Sequence, residues 1–250
     1  MINASPDSLN KDSIAIGPEA ALARARSLLA AGCQAIDLGG QGSTDIATVE
    51  TEETEWSRLV EIIPALVPLG VPVSVDTWRP AVMRRSLEAG ATVMNAADGL
   101  QAPGMFEVAA DFGVPVVLPY LNGPDPRNLS HVEGDPIDSM VSWFAAMCRR
   151  ATAFGVRDNL ILDPGTGFAP LGWEWASRYH YQKHVYSNLG RLRVFGLPIY
   201  IALPWRDTPQ HHELLDIVIA QHAEFGRCHY PAVVRDAEAR FASASKLGNS

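Results

Sequence analysis

Cysteine is scarce: Cys33, Cys148 and Cys228 are widely spaced, odd in number and free of any CxxC. That argues against a disulfide scaffold or a thiolate metal site and points to reduced thiols in packed positions. Long apolar runs are missing too. None reaches the roughly 18 residues of a membrane span, and the start lacks the basic and apolar regions of a signal peptide, so the expected compartment is the cytoplasm. Positive charge is in short supply, 20 Lys and Arg against 28 Asp and Glu, for a net charge of −8. Such a balance disfavours nucleic acid and anionic membranes as partners, and a polyanionic substrate would need a local positive pocket. There is no GxSxG, P-loop or complete GxGxxG, no low-complexity tract and no linker.

What is present is an alternation. Seven apolar runs of strand length occur, at Cys33–Gly39, Val71–Thr77, Ala91–Asn95, Val114–Leu118, Asn159–Asp163, Leu197–Leu203 and Arg227–Tyr230. Helical segments are expected between them, near Pro18–Ala31, Glu53–Val67, Pro80–Ala89, Met105–Phe112, Ile137–Phe154, Tyr179–Arg193, His211–Phe225 and Ala232–Leu247. Several end on glycine, at Gly32, Gly90, Gly113, Gly155 and Gly226, as helix C-caps often do. Strands that are apolar throughout and alternate with helices describe a parallel sheet covered by helices, and 250 residues suit a single α/β barrel domain, a TIM (β/α)8 barrel over 1–250. One strand is unaccounted for. Only Met1–Ile2 remain before the first helix, so either an upstream segment supplies the first stave or that stave is a stub and the barrel is open at that seam.

In such a barrel, polar residues just past an apolar strand are informative, because the strand gives them no packing reason to be polar. Asp37 lies within AIDLGG, Asp76 ends VSVDT, Asn95 ends TVMN, and Asp163 ends LILDPG. Each alone is as well explained as a helix cap or a partner for loop amides. Together they suit a flat heterocycle with several N–H donors, since a carboxylate takes two parallel hydrogen bonds from a ring N–H and a neighbouring amine. Arg227 and His229 are two apart on the last strand and share a face. Facing inward, before a helix that starts near Pro231, they would bind phosphate or pyrophosphate; facing outward they are a surface pair. His180 and His184 have the i, i+4 spacing of two zinc ligands but lack a zincin glutamate, and read as a packed or solvated helix face.

Taken in order, these strand ends resemble the dihydropteroate synthase family. MINASPDSLN at the start is similar to its ILNVTPDSFS, AIDLGG to its IDVGGEST region, and VSVDTWRP to SVDTxxP. MNAADGL is similar to INDVSGL, ILDPGTGF to ILDPGFGF, and the RCH of Arg227–His229 to RVH. The resemblance implies a pterin-binding (β/α)8 barrel in which 4-aminobenzoate displaces pyrophosphate from 6-hydroxymethyl-7,8-dihydropterin diphosphate, with magnesium as cofactor. It implies that Asp76, Asn95, Asp163, Gly167 and Phe168 hold the pterin, that Arg227, His229 and Arg206 act on the diphosphate and the reacting groups, and that Asn3 places the magnesium-bound diphosphate. Ser43, Thr44 and Asp207 fall at acceptor positions, and a homodimer is the family's usual assembly.

Departures cluster on the acceptor side. The family's GLSRKS is here ALPWRD, so Arg206 and Asp207 replace a lysine and a serine; STRPG has become STDIA, with Asp45 for arginine; Ala96 and Pro170 replace an aspartate and a lysine. Two added carboxylates predict that 4-aminobenzoate binds poorly. A non-catalytic pterin-binding paralogue is the alternative, and a methyltransferase using a reduced folate fits less well, because a methyl donor gives Arg227 and His229 no diphosphate to bind.

Overall fold

Ile2–Asn3 already form the first stave of the sheet, β1, pairing in parallel with Leu38 and Gly39. In the computed structural model, which describes residues 1–8, 10–42 and 47–247, seven more strands follow. They are β2 (Ile36–Gly39), β3 (Val73–Thr77), β4 (Val93–Ala96), β5 (Val116–Pro119), β6 (Leu160–Asp163), β7 (Tyr200–Ala202) and β8 (Phe225–Arg227). The first six form one parallel sheet in sequence order, and β7 and β8 pair separately. The two sheets meet at both ends. Leu162 bridges to Ile199 in parallel, and its amide donates to Pro198 O at 2.8 Å. At the other seam the Met1 nitrogen donates to Cys228 O at 3.3 Å. The fold is a (β/α)8 barrel in which Ile2–Asn3 supply a short first stave, and among the described residues the seam to β8 is crossed by this hydrogen bond and by Arg227 Nη1 at 3.7 Å from Met1 Sδ, with no ladder.

The helices pack their apolar faces on these strands: α1 (Pro18–Ala30), α2 (Glu52–Leu59), α3 (Ile62–Leu66), α4 (Pro80–Glu88), α5 (Met105–Phe112), α6 (Pro136–Ala153), α7 (Trp175–Ser187), α8 (Pro209–Ala220) and α9 (Pro231–Leu247). Core residues such as Ile36, Leu38, Val73, Val75, Met94, Leu118 and Ile201 are fully enclosed. Proline opens α1, α4, α6, α8 and α9, where its missing N–H costs nothing.

Several boundaries differ from the sequence reading. The helix expected over Glu53–Val67 is broken into α2 and α3. The one expected from Tyr179 begins four residues earlier at Trp175 and gives way after Ser187 to a 3-10 turn over Leu189–Phe195. The last strand is Phe225–Arg227, not Arg227–Tyr230, because the Phe225 amide pairs with Ile199 O and the chain leaves the sheet before Pro231. Gly226 consequently lies in β8 and caps no helix; His222, at φ 54°, takes the left-handed turn after α8 instead. A Cβ at Gly226 would come within 2.7 Å of Leu203, so close packing accounts for this glycine.

Strand register then fixes the chemistry. Asn3 pairs with Gly39, Gly39 with Asp76, and Asp76 with Asn95, which sets Asn3, Asp76 and Asn95 at one level on one face. Asp37 lies two residues below Gly39 on that face, and on β7–β8 Ala202 is level with Arg227.

Candidate active site

The C-terminal ends of the strands surround a cavity of about 580 Å³, lined by Asn3, Asp76, Phe168, Arg206, Arg227 and His229 among others. With Gly167, seven of the site residues named from sequence thus meet in one place, where (β/α)8 barrels build their sites.

At its base the inward side chains form a charged network. The Arg227 guanidinium donates to Asp76 Oδ2 at 2.8 Å and to Asp37 Oδ2 at 3.4 Å. Asn95 Nδ2 donates to Asp37 Oδ1 at 3.3 Å. One guanidinium cannot neutralise two enclosed carboxylates. Burial, with Asp37 adding to it and Arg227 opposing, pushes Asp76 up to about 7. Arg227 itself loses by burial but is raised on balance by Tyr200, Asp37, Asp76 and Asp163. Asp163 is 5% exposed, accepts the Gly165 amide at 2.8 Å, and is pushed up to about 6, chiefly by burial. The Tyr200 hydroxyl, held well above its ordinary range by burial and by Asp37, has no hydrogen-bond partner among the described residues. Asp76 and Arg227 reach the open cavity, whereas Asn95 and Asp163 do not line it.

Around this base the turn after β6 sets the near wall. Gly165 adopts φ 69°, and a Cβ there would overlap the Tyr120 carbonyl; the Phe168 amide closes the turn on Gly165 O at 3.0 Å. At Gly167 an added Cβ would stand 3.0 Å from Ala202 Cβ and 3.8 Å from Arg227 Nη2, so this backbone approaches both β7 and the arginine closely.

His229 lies beyond β8 rather than on it, yet shares the cavity with Arg227. Burial and nearby positive charge, Arg227 included, hold its imidazole down at about 3, and its Nδ1 is enclosed without a partner. In the ligand-free protein it is a neutral hydrogen-bonding group, not a cation. Asn3 donates its Nδ2 to Ser8 Oγ at 3.0 Å and Ser13 Oγ at 2.6 Å, which leaves Oδ1 as its uncommitted atom beside the cavity. Among the described residues no three His, Cys, Asp or Glu side chains cluster as a metal cage. A single amide oxygen suits magnesium, which keeps several waters and relies on substrate phosphates for most of its protein-site affinity.

The acceptor-side residues separate. Arg206 lines the cavity, its guanidinium 5.3 Å from the Trp205 ring centre, with no carboxylate partner among the described residues. Asp207 does not line it. Its side chain is 89% exposed and lies 3.0 Å from His212 Nε2. The expectation that Asp207 faces an anionic acceptor is corrected: the N-terminal turn of α8 draws it outward. Ser43, Thr44 and Asp45 lie outside the described residues. His184 pairs with Asp135 at 3.0 Å on the surface and no metal site forms with His180.

Sequence reading missed a further wall. Trp175, Arg178 and Gln182, at i, i+3 and i+7 on α7, all line the cavity, and the Trp175 ring stacks on His211 of α8 at 4.4 Å and 1°. Their spacing on the helix that follows a strand-end loop was the available signal.

A family model described as "Pterin binding enzyme" matches residues 1–204. Dihydropteroate synthase from Bacillus subtilis is 33% identical over 205 residues, an alignment that takes in 81% of this chain and 67% of that protein. Among solved structures, Yersinia pestis dihydropteroate synthase in a sulfonamide drug complex superposes with a TM-score of 0.81 at 28% identity, over 98% of this chain and 92% of that one. The Thermus thermophilus enzyme in complex with 4-aminobenzoate gives 0.79 at 27% identity, over 97% and 91%.

Proposed function

Since this chain belongs to the family of pterin binding enzymes that includes the dihydropteroate synthases, we propose that it is a transferase that joins an aryl amine to 6-hydroxymethyl-7,8-dihydropterin diphosphate with loss of pyrophosphate. The observation that carries the reading is the strand-end network: Asp76, Asn95, Asp163 and Arg227 come from four different staves, with Asp76 and Arg227 reaching the cavity and Asn95 and Asp163 enclosed at the strand ends beside it. Neither helix capping nor surface solvation explains enclosed carboxylates held above their usual range.

Pterin enters edge-on. Above pH 6 the Asp163 carboxylate, freed of its proton, takes two parallel hydrogen bonds from a ring N–H and the exocyclic amine, and Asn95 and Asp76 address the remaining polar edge. Phe168 lies against the ring. For the pterin to reach Asp76, Arg227 exchanges its carboxylate partners for the incoming diphosphate, and His229 adds a neutral hydrogen bond whose strength grows as the phosphate raises its basicity. Asn3, through its free Oδ1, is the residue that would hold magnesium, which when bound neutralises charge on the diphosphate oxygens. The amine nitrogen forms a bond to the pterin methylene carbon as the carbon–oxygen bond to pyrophosphate breaks. The nitrogen then releases one proton, and no covalent enzyme intermediate is required. The same reading places all 250 residues in one barrel domain in the cytoplasm; among the described residues no helix is long and apolar enough to cross a membrane.

Pyrophosphate release from the pterin diphosphate, measured with and without 4-aminobenzoate, tests the proposal. Amine-dependent release supports it. Tight pterin binding with no release under either condition leaves the non-catalytic paralogue.

A further inference from the structure

Many arginines in this acidic protein pair with carboxylates: Arg79 with Glu55, Arg58 with Glu50, Arg227 with Asp76. Arg178 does not. Its Nη2 donates to the carbonyls of Gly167 at 2.7 Å and Thr166 at 3.5 Å, and its Nε is enclosed with no hydrogen-bond partner. Burial, with Arg206 nearby adding, lowers its pKa, the sign of a cation lacking compensation. Two guanidiniums, Arg178 and Arg206, therefore line one cavity with no acidic partner among the described residues. For the enclosed Arg178 such uncompensated charge is costly unless a ligand supplies the counter-charge, whereas the exposed Arg206 is solvated at the cavity mouth.

Flat surfaces flank it. The stacked Trp175 and His211 rings line the cavity, and so does Trp205, whose ring lies under Arg206. His211, held down at about 4 by burial and the two arginines, is neutral and adds a surface without charge. The Gly167 residue that offers its carbonyl to Arg178 is also the one close to Arg227 Nη2, so the leaving-group side and this second cationic wall are one residue apart. A rigid aryl ring with an amine at one end and an anion at the other matches that arrangement, the amine toward the pterin methylene and the anion toward α7.

We propose that Arg178, supported by Arg206, receives the anionic group of the aryl amine acceptor, so that acceptor specificity is set by the inner face of α7 together with Arg206, and not by Asp207. This rests on the transferase reading and goes beyond it, since neither the strand ends nor the segments at 43–47 and 202–207 include α7.

The test compares 4-aminobenzoate with its neutral counterpart 4-aminobenzamide in wild type, Arg178→Met, Arg178→Lys and Arg178→Gln. Loss of the charge should raise KM for the benzoate at least tenfold and for the benzamide less than twofold, with the lysine variant between. Affinity for the pterin diphosphate should stay within twofold in every variant. Arg178→Gln keeps a donor for the Gly167 carbonyl and decides the matter if the methionine variant fails to fold. Equal changes for both amines, no change for either, or a loss confined to the pterin diphosphate would overturn the assignment. If wild type shows no turnover, calorimetry with 4-aminobenzoate in the presence of inorganic pyrophosphate replaces KM, and absence of binding there overturns it as well. Pterin titration and pyrophosphate release by the wild-type protein judge the transferase reading separately.

Discussion

The base and the rim of the cavity are built by different means. At the base, Asp37, Asp76, Asn95 and Asp163 come from strand ends whose register leaves them no freedom, and Arg227 offsets part of the charge of Asp37 and Asp76 from within the protein. At the rim, Arg178, Arg206, Trp175 and His211 come from two helices and a loop, and the positive charge there is left unbalanced. Half of the site is thus complete without ligand, and half awaits one. Binding at the base exchanges one set of hydrogen bonds for another, whereas binding at the rim supplies a charge that the protein lacks.

The largest effect should follow from breaking the base. Arg227→Ala strands Asp37 and Asp76 without their cation and removes the diphosphate contact. Pyrophosphate release should fall at least about 100-fold, and stability by about 3 kcal/mol, the usual cost of leaving a buried charge unpaired. Denaturant melts and a release assay check both. If the free pterin alcohol weakens as much as the diphosphate ester, Arg227 is structural only.

Asp163→Asn should cost about 2 kcal/mol of pterin affinity, roughly 30-fold, by titration with 6-hydroxymethylpterin. Its effect on the ligand-free protein has the opposite sign. The Asp163 carboxyl is raised to about 6, so its contribution to stability is complete below the unfolded carboxylate range and is lost as pH rises through 6. Asparagine carries no such penalty. The variant should therefore be the more stable protein at pH 7 to 8, by on the order of 1–3 kcal/mol, with the advantage fading toward pH 4. Equal melting temperatures across that window would mean that the carboxylate is already compensated. A smaller loss is expected for Gly167→Ala, whose new methyl meets Ala202 Cβ at 3.0 Å and nudges the wall shared by both arginines. About tenfold in kcat/KM with a stability change near 1 kcal/mol is the expected outcome.

The base was legible in the sequence because a buried parallel strand is apolar throughout, so a polar residue at its end has no packing explanation and stands out. Asp76, Asn95 and Asp163 were found that way, and Asp37 with them. The rim was not. Trp175 and Arg178 lie on a helix that also carries Lys183 and His184 in ion pairs and Tyr179 donating to Glu213, so its cavity-lining polar residues do not contrast with their neighbours. Strand β1 could be read only as a possible stub for a different reason: two residues carry too little periodicity to read as a stave, and only register with β2 reveals it. Asp207 was placed in the site by its alignment in a motif, which fixes position along the chain but not the direction a loop side chain takes.

That last difference sets the smallest expected effect and the sharpest test of the contrast. Were Asp207 within about 4 Å of the acceptor's anion, repulsion would cost on the order of 1 kcal/mol in water and about 4 kcal/mol at an effective dielectric near 20, and replacing it by serine would tighten 4-aminobenzoate tenfold or more. The side chain instead lies 89% exposed beside His212 and outside the cavity lining. At a separation of about 10 Å through water the same repulsion falls to roughly 0.4 kcal/mol, and physiological salt screens it further over a Debye length of about 8 Å. Asp207→Ser should accordingly change the affinity for 4-aminobenzoate by less than twofold, while Arg178→Gln changes it at least tenfold. Calorimetry on the two variants side by side distinguishes the alternatives. A tenfold gain in Asp207→Ser would mean that Asp207 as well as Arg206 reaches the acceptor, and the division between a base that holds its own cation and a rim awaiting an anion would have to be redrawn.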